Sequence, residues 1–158
     1  WLMGFPKATK VSASTFHYLC TDLAQRLNKK FDVEDSACAF IKFSNGASLI
    51  LECSWAINIK EKEYMLTQLC GTKGGAVQKN INEGYEFTAE LYWENNGYYF
   101  TQKLDWSTNP TPSPYSEFVE SILQQRPPLA TATEAIEGLK IIEAIYQSAQ
   151  TGQEITLN

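Results

Sequence analysis

Two Asn-Gly dipeptides, Asn45-Gly46 and Asn96-Gly97, each stand between runs in which apolar and polar residues alternate. Alternation sends successive side chains to opposite faces of a strand, and Asn-Gly supplies the positive φ that a tight hairpin needs. The chain is therefore expected to be built on antiparallel hairpins. Around Asn96-Gly97, a two-residue turn pairs Trp93 with Phe100 and Glu90 with Lys103. Phe87, Ala89, Leu91, Trp93, Phe100, Leu104 and Trp106 then share one face. Glu86, Thr88, Glu90, Glu94, Thr101, Lys103 and Asp105 share the other. The pattern predicts a hairpin over 85–106 with one packed and one wetter side.

Around Asn45-Gly46, from Ser36 to Trp55, two registers compete. A two-residue turn sets Phe43 opposite Ser48 and mixes apolar with polar on each face. A three-residue loop with Gly46 left-handed sets Phe43 opposite Ala47, Ile41 opposite Leu49 and Ala39 opposite Leu51, which leaves one face uniformly apolar. Burial of such a face fixes register, so the three-residue loop is predicted. In that register Cys38 and Cys53 point to opposite faces, and no disulfide between them is expected.

The remaining segments follow the same logic. Lys10 to Phe16 alternates Val11, Ala13 and Thr15 with polar neighbours, as a strand does. Tyr18 to Asp32, with Leu19, Leu23 and Leu27 at near-helical spacing, is either a short helix or an ordered loop. Tyr64 to Cys70 reads as a strand that Gly71-Thr72-Lys73-Gly74-Gly75 turns back into Ala76 to Lys79. That glycine cluster lacks the GxxxxGK[ST] spacing of a phosphate loop and precedes no helix, so a tight turn is expected. Asn109 to Pro114, with three prolines, is a linker. Tyr115 to Gln125 predicts a helix with Phe118, Val119, Ile122 and Leu123 on its stripe, stopped by Pro127-Pro128. Thr131 and Glu134 form a capping box for a second helix, with Ile136, Leu139, Ile142, Ile145, Tyr146 and Ala149 expected inward and Gly152 at its end. Glu154 to Leu157 closes as a short strand. Strands first and helices last give an α+β fold, a largely antiparallel open β-sheet with C-terminal helices packed on one face.

Length and charge bound the function. At 158 residues and 44% apolar composition, residues 1–158 are expected to form a single domain with its own core. A net charge of −5 argues against nucleic acid and anionic membrane, which require clustered Lys and Arg. The apolar runs are strand-sized, too short to span a bilayer. Cys20, Cys38, Cys53 and Cys70 have no metal or redox spacing, and His17 is the single histidine. No metal site is expected, and reduced cysteines suit a cytoplasmic protein. The opening Trp1-Leu2-Met3-Gly4-Phe5-Pro6 lacks the features of a signal peptide. It reads as the last turn of a helix whose earlier turns lie upstream.

Three stretches together resemble the C-terminal domain of the glucose-fructose oxidoreductase / inositol dehydrogenase / MocA-like (Gfo/Idh/MocA) family of NAD(P)-dependent oxidoreductases. The first is Trp1-Leu2-Met3-Gly4-Phe5-Pro6 followed by Val11-Ser12-Ala13. The second runs from Val33-Glu34-Asp35 through Ala37, Ala39 and Phe43-Ser44-Asn45-Gly46-Ala47 to Ser54-Trp55. The third runs from Phe118-Val119 through Pro127-Pro128, Ala135, Ile142-Glu143, Tyr146, Ser148 and Gly152 to Ile155. Their joint order covers nearly the whole chain. The resemblance implies a two-domain enzyme whose N-terminal Rossmann domain, absent from this chain, binds NAD or NADP. This domain would then shape the pocket for a sugar, cyclitol or related polyol and make subunit contacts. The family's catalytic Lys, Asp and His belong to motifs expected upstream of Trp1, so the chain by itself should bind no cofactor and be inactive.

Three residues are carried as substrate-binding candidates. His17 follows the first strand, where a loop histidine either reaches a substrate hydroxyl or is simply solvated. Trp55 ends the first hairpin, as a stacking surface for a sugar or as a core or interface aromatic. Lys60 belongs to the alternating charged turn Lys60-Glu61-Lys62-Glu63. Asp35 is read as a strand-start or turn residue and not as a general base. Tyr92 and Tyr99, on the wetter side of the second hairpin, suggest a homo-oligomer through the sheet face. The alternative reading is a non-catalytic interaction or scaffold domain of the same fold.

Overall fold

The computed structural model describes residues 2–82, 87–104 and 113–157. Its elements run β1 (Ala8–Phe16), α1 (Tyr18–Arg26), β2 (Ser36–Phe43), β3 (Ser48–Ser54), β4 (Tyr64–Gly71), β5 (Gly74–Ile81), β6 (Phe87–Asn95), β7 (Tyr98–Leu104), α2 (Pro114–Leu123), α3 (Ala132–Thr151) and β8 (Ile155–Thr156). The fold is α+β with antiparallel pairing, as expected, but its strands form two four-stranded sheets instead of one. The orders are β3-β2-β1-β8 and β4-β5-β6-β7. The sheets belong to two compact units, one made of Trp1–Ile57 and Ser113–Asn158, the other of Asn58–Pro112.

The first unit is organised by the β2–β3 hairpin. Ile41 stands opposite Leu49 and Ala39 opposite Leu51. The Phe43 N–H donates to the Ala47 carbonyl at 2.9 Å, with Gly46 left-handed at φ +85. This is the three-residue loop, and Ala39, Ile41 and Phe43 are buried together. Cys38 faces Glu52 and Cys53 faces Ala37, so the two cysteines lie on opposite faces. In the neighbouring strand Val11 pairs with Ile41 on one side and Ile155 on the other. Helix α3 lays Ala144 and Ile145 on these residues, closing a core of Val11, Ala39, Ile41, Phe43, Ala144 and Ile145. Each fully buried branched side chain here contributes about 1.5–3 kcal/mol.

Helix α3 is delimited as its caps dictate. Thr131 Oγ1 accepts from the Glu134 N–H, Glu134 Oε2 accepts from the Thr131 N–H at 2.9 Å, and Gly152 ends the helix at φ +68. Its inward face matches the expectation at Ile145 and departs from it elsewhere. Ile136, Leu139, Ile142 and Tyr146 are exposed, while Ile141, Ala144, Ile145 and Ser148 face the sheet. The helix carries two apolar stripes, and only the second meets this core. Ser148 completes the sheet where β8 is too short: its Oγ accepts from the Ala13 N–H at 2.9 Å and donates to the Gln153 carbonyl at 2.7 Å.

Tyr18–Arg26 forms a helix. Asn28 ends it in the left-handed region, with the Lys29 N–H returning to the Ala24 carbonyl at 2.8 Å. Its buried side is Cys20 and Ala24, so Leu19, Leu23 and Leu27 face outward. Helix α2 likewise leaves Phe118, Val119, Ile122 and Leu123 exposed.

In the second unit Gly71 pairs with Gly74 around Thr72-Lys73. A Cβ on Gly74 would meet the Tyr92 carbonyl oxygen at 2.6 Å, so this close approach requires glycine. Asn96 and Gly97 both take positive φ, Glu90 pairs with Lys103, and the Trp93 and Phe100 rings stack at 5.6 Å. The face expected to be packed is open: Phe87, Phe100 and Leu104 are all exposed. No helix belongs to this unit among the described residues, so a single sheet has to supply both of its own surfaces. The ends assigned to this hairpin from the sequence (Tyr85, Glu86, Asp105 and Trp106), the linker residues 109–112 and Trp1 lie outside the described residues. No helix is long and apolar enough to cross a membrane, and no three His, Cys, Asp or Glu side chains gather as metal ligands among the described residues.

The turn after α2 is held by charge. Both Glu117 oxygens accept from Arg126, at 2.8 and 2.7 Å, and Oε1 also accepts from the Leu129 N–H at 3.0 Å. The hydrogen bonds from Arg126 lead in holding this carboxyl down at about 2. A folded-state value below the ordinary one stabilises the fold above the unfolded value and is lost as pH falls. Hydrogen exchange at the Arg126 and Leu129 amides is therefore expected to accelerate as pH drops from about 5 towards 2, after correction for intrinsic rates. Glu117→Gln should exchange quickly across that whole window, and an unchanged profile would show that the pair does not hold the turn.

Candidate functional site

One end of the first sheet gathers the groups best able to contact a ligand, and Asp35 is what gathers them. Phe16, Ser36 and Ser54 are in register there, so β1, β2 and β3 share that edge. Asp35, one residue earlier, is 2% exposed and bonds to all the segments that meet at this end. Its N–H donates to the Phe16 carbonyl at 2.8 Å, and its own carbonyl accepts from the Trp55 N–H at 3.2 Å and Ser54 Oγ at 2.7 Å. Its carboxylate accepts from the Cys20 N–H at 3.1 Å. That N–H is one of the unpaired donors in the first turn of α1, whose N-cap, His17, makes no side-chain cap of its own. Asp35 is thus the remote cap of α1, where a negative charge also complements the helix dipole. Burial, and then the nearby Asp35 charge, push the Cys20 thiol up.

His17 and Trp55 are thereby brought to the same end of the sheet. His17 is exposed at the β1–α1 junction, its ring stacked on Tyr18 with centroids 5.2 Å apart. Trp55 is 64% exposed, yet it is oriented. Its indole N–H donates to the Glu34 carbonyl at 2.9 Å, and its ring leans on Phe31 at 5.5 Å. With the N–H engaged inward, the surface left to a ligand is the ring face. Lys60 lies in the second unit, exposed and ahead of β4.

Two residues here were not among the sequence-derived candidates. Glu34 carries Trp55 on its carbonyl and accepts a hydrogen bond from the Tyr146 hydroxyl at 2.6 Å. That bond is the leading cause that lowers the Glu34 carboxyl and raises the Tyr146 phenol. The sequence pattern places Tyr146 on the core face of α3, whereas its Glu34 contact spans 112 residues. Only the fact that α3 carries two apolar stripes hinted that Tyr146 faces elsewhere.

Among the described residues no glycine-rich turn leads from a strand into a helix. Pyrophosphate sites use a glycine turn from a strand into a helix, which lets backbone N–H groups approach the phosphates. Among the described residues the β1–α1 junction is made by His17, and Gly71–Gly75 turns a strand into a strand.

The family described as "Oxidoreductase family, C-terminal alpha/beta domain", Gfo/Idh/MocA, matches residues 1–157, and the chain belongs to it. A curated relative, the D-glucoside 3-dehydrogenase of Escherichia coli (strain K12), is 30% identical over 164 residues. That match takes in 99% of this chain and 44% of the relative, so the chain spans less than half the length of that enzyme. Among solved structures, the aldose-aldose oxidoreductase of Caulobacter crescentus, complexed with glycerol, superposes with a TM-score of 0.75 at 18% identity, over 96% of this chain and 42% of that one. GenD2 of gentamicin A biosynthesis, in complex with NAD, matches with a TM-score of 0.55 at 21% identity, over 100% of this chain and 44% of that one. Both likenesses are of fold.

Asp35→Ala removes the cap and leaves the Cys20 N–H without its acceptor. The expected loss is about 1–3 kcal/mol in urea denaturation, with Asp35→Asn losing less. Wild-type stability in Asp35→Ala would mean that the carboxylate does not hold this end together.

Proposed function

We propose that this chain is the substrate-side half of an NAD(P)-dependent oxidoreductase acting on a sugar, cyclitol or related polyol. The dinucleotide-binding half and the catalytic Lys, Asp and His would lie in the part of its relatives that the chain does not span. The observation that carries this reading is the Asp35 end of the first sheet, which presents an oriented tryptophan face and a histidine together. A pyranose or cyclitol ring offers C–H groups on one face and hydroxyls at its rim. Trp55 would take the C–H face by stacking, and His17 would hydrogen-bond a rim hydroxyl. Lys60, in the second unit, is a separate candidate contact for substrate. In this reading the chain binds and orients the alcohol, and the cofactor held by the other half accepts the hydride. The relative that acts on a glucoside supports the substrate class, and the reduced cysteines support a cytoplasmic setting.

Two measurements test the reading. Calorimetric titration of this chain with NADH and NADPH is expected to give no binding, while the full-length polypeptide binds one of them at micromolar concentration. In that longer protein Trp55→Ala should raise the KM for its sugar roughly tenfold, a loss of about 1.4 kcal/mol, with cofactor affinity unchanged. Micromolar binding of NADH or NADPH by this chain alone would refute the division of labour.

We also propose that the second sheet meets a second copy through the side that bears Tyr92 and Tyr99. The pairing register puts Tyr64, Leu66 and Ile81, all exposed, on that side as well. Glu90 and Lys103 lie opposite each other within it, so the surface carries both signs and suits a twofold contact. A stable interface of this kind buries roughly 800 Å² per partner. The Tyr92 hydroxyl donates to Glu90 at 2.6 Å, and Tyr92→Glu would place three carboxylates side by side. Light scattering on a gel-filtration column should show a dimer that Tyr92→Glu converts to monomer with its circular dichroism intact. A wild-type chain that stays monomeric at high micromolar concentration rules this contact out.

A further inference from the structure

The outward side of α3 carries Ala135, Leu139, Ile142 and Tyr146, spaced by four, three and four residues, and all four are exposed. At 100° per residue these side chains fall within about 60° of one another, turned away from the stripe that faces the sheet. A four-three-four repeat of apolar residues is the seam by which one helix packs along another. Gly138 stands beside this seam. Glycine inside a helix is destabilising relative to alanine, yet a Cβ at Gly138 would meet nothing within 4 Å among the described residues. Among the described residues nothing calls for glycine there, whereas the close approach of a second helix backbone would.

The seam leads to the candidate site. Tyr146, its last member, donates to Glu34, and the Glu34 carbonyl holds the Trp55 indole N–H. We infer that the α3 seam seats a helix of the dinucleotide-binding half, with the Tyr146–Glu34–Trp55 hydrogen bonds fixing the stacking tryptophan relative to that helix. This rests on the two-half reading above, and the page favours this occupant over others. More than half of the D-glucoside 3-dehydrogenase lies outside the region this chain matches, which leaves ample chain to cover the seam. Hydride transfer also needs the donor and acceptor carbons about 3–3.5 Å apart. The half that carries the cofactor must then stand at the His17 and Trp55 end of the sheet, where the seam arrives.

The test is cysteine accessibility, read peptide by peptide by mass spectrometry after maleimide pulses. Leu139→Cys is placed in this chain and in the full-length polypeptide, with Lys73→Cys at the tip of the β4–β5 turn as reference. Cys labelling at position 139 is expected to be at least tenfold slower in the longer polypeptide, at every protein concentration, with the reference unchanged. Adding Gly138→Leu should leave the melting of this chain intact while restoring fast labelling at 139 in the longer polypeptide. Equal rates in the two contexts overturn the inference. So does protection that grows with concentration, which would assign the seam to a second copy. NADH and NADPH titrations on the same samples separate the two readings. Cofactor binding with position 139 fully reactive refutes the seam alone, and protection without cofactor binding refutes the cofactor reading alone.

Discussion

A sheet ends by leaving backbone groups unpaired, and in this chain one buried residue, Asp35, takes them up with its main chain while its carboxylate caps α1. Asp35 ties the last residue of β1, the first turn of α1 and the end of β3 into one set of hydrogen bonds. At the other side of the same sheet Ser148 bridges Ala13 and Gln153. The largest fully buried side chains among the described residues are Ile41, Val11, Asp35 and Ser148, so two of the four are polar. Burying a polar side chain is costly unless its bonds are made. Here both are bonded, and what they bond is backbone that the ladder cannot reach. The Asp35 contacts run to Phe16 and Cys20 on either side of His17 and to the Trp55 N–H.

The apolar surface left uncovered is large for a chain of this size. The stripes of α1 and α2, one stripe of α3 and both faces of the second sheet are open. A helix or sheet is stable in water when its apolar side meets another layer, and extended exposed patches mark places where something else binds. Among the described residues the pairing of layers that closes a core is that of α3 on the first sheet. A chain spanning 44% of its curated relative fits that pattern.

Chemistry and architecture divide in the same way. The Asp35 end presents an aromatic face, an imidazole and a tyrosine–carboxylate pair. Glu34 and Tyr146 are engaged with each other, and the hydrogen bond between them is the largest influence on both. A carboxyl lowered in this way is a poor proton acceptor near neutral pH. That agrees with the substrate-holding role proposed for this end.

Local rules in the sequence determined the turns, caps and pairing. Gly46 at its left-handed position, Asn96-Gly97 with Glu90 opposite Lys103, and the Thr131–Glu134 box each depend on residues a few positions apart, and all are found as read. The family was legible for a related reason, since its signature is the order of such short stretches. Tertiary structure decided which apolar stripe faces inward. Periodicity reports that α3 has a stripe, but Ile141–Ser148 and Ala135–Tyr146 are equally periodic, and only the position of the sheet selects the first. It also decided that Leu19 and Leu23 face out while Cys20 and Ala24 are buried. Likewise it set Asp35 as the cap of a helix fifteen residues away and joined Glu34 to Tyr146 across 112. Those contacts depend on where distant segments come to rest, which no local pattern encodes.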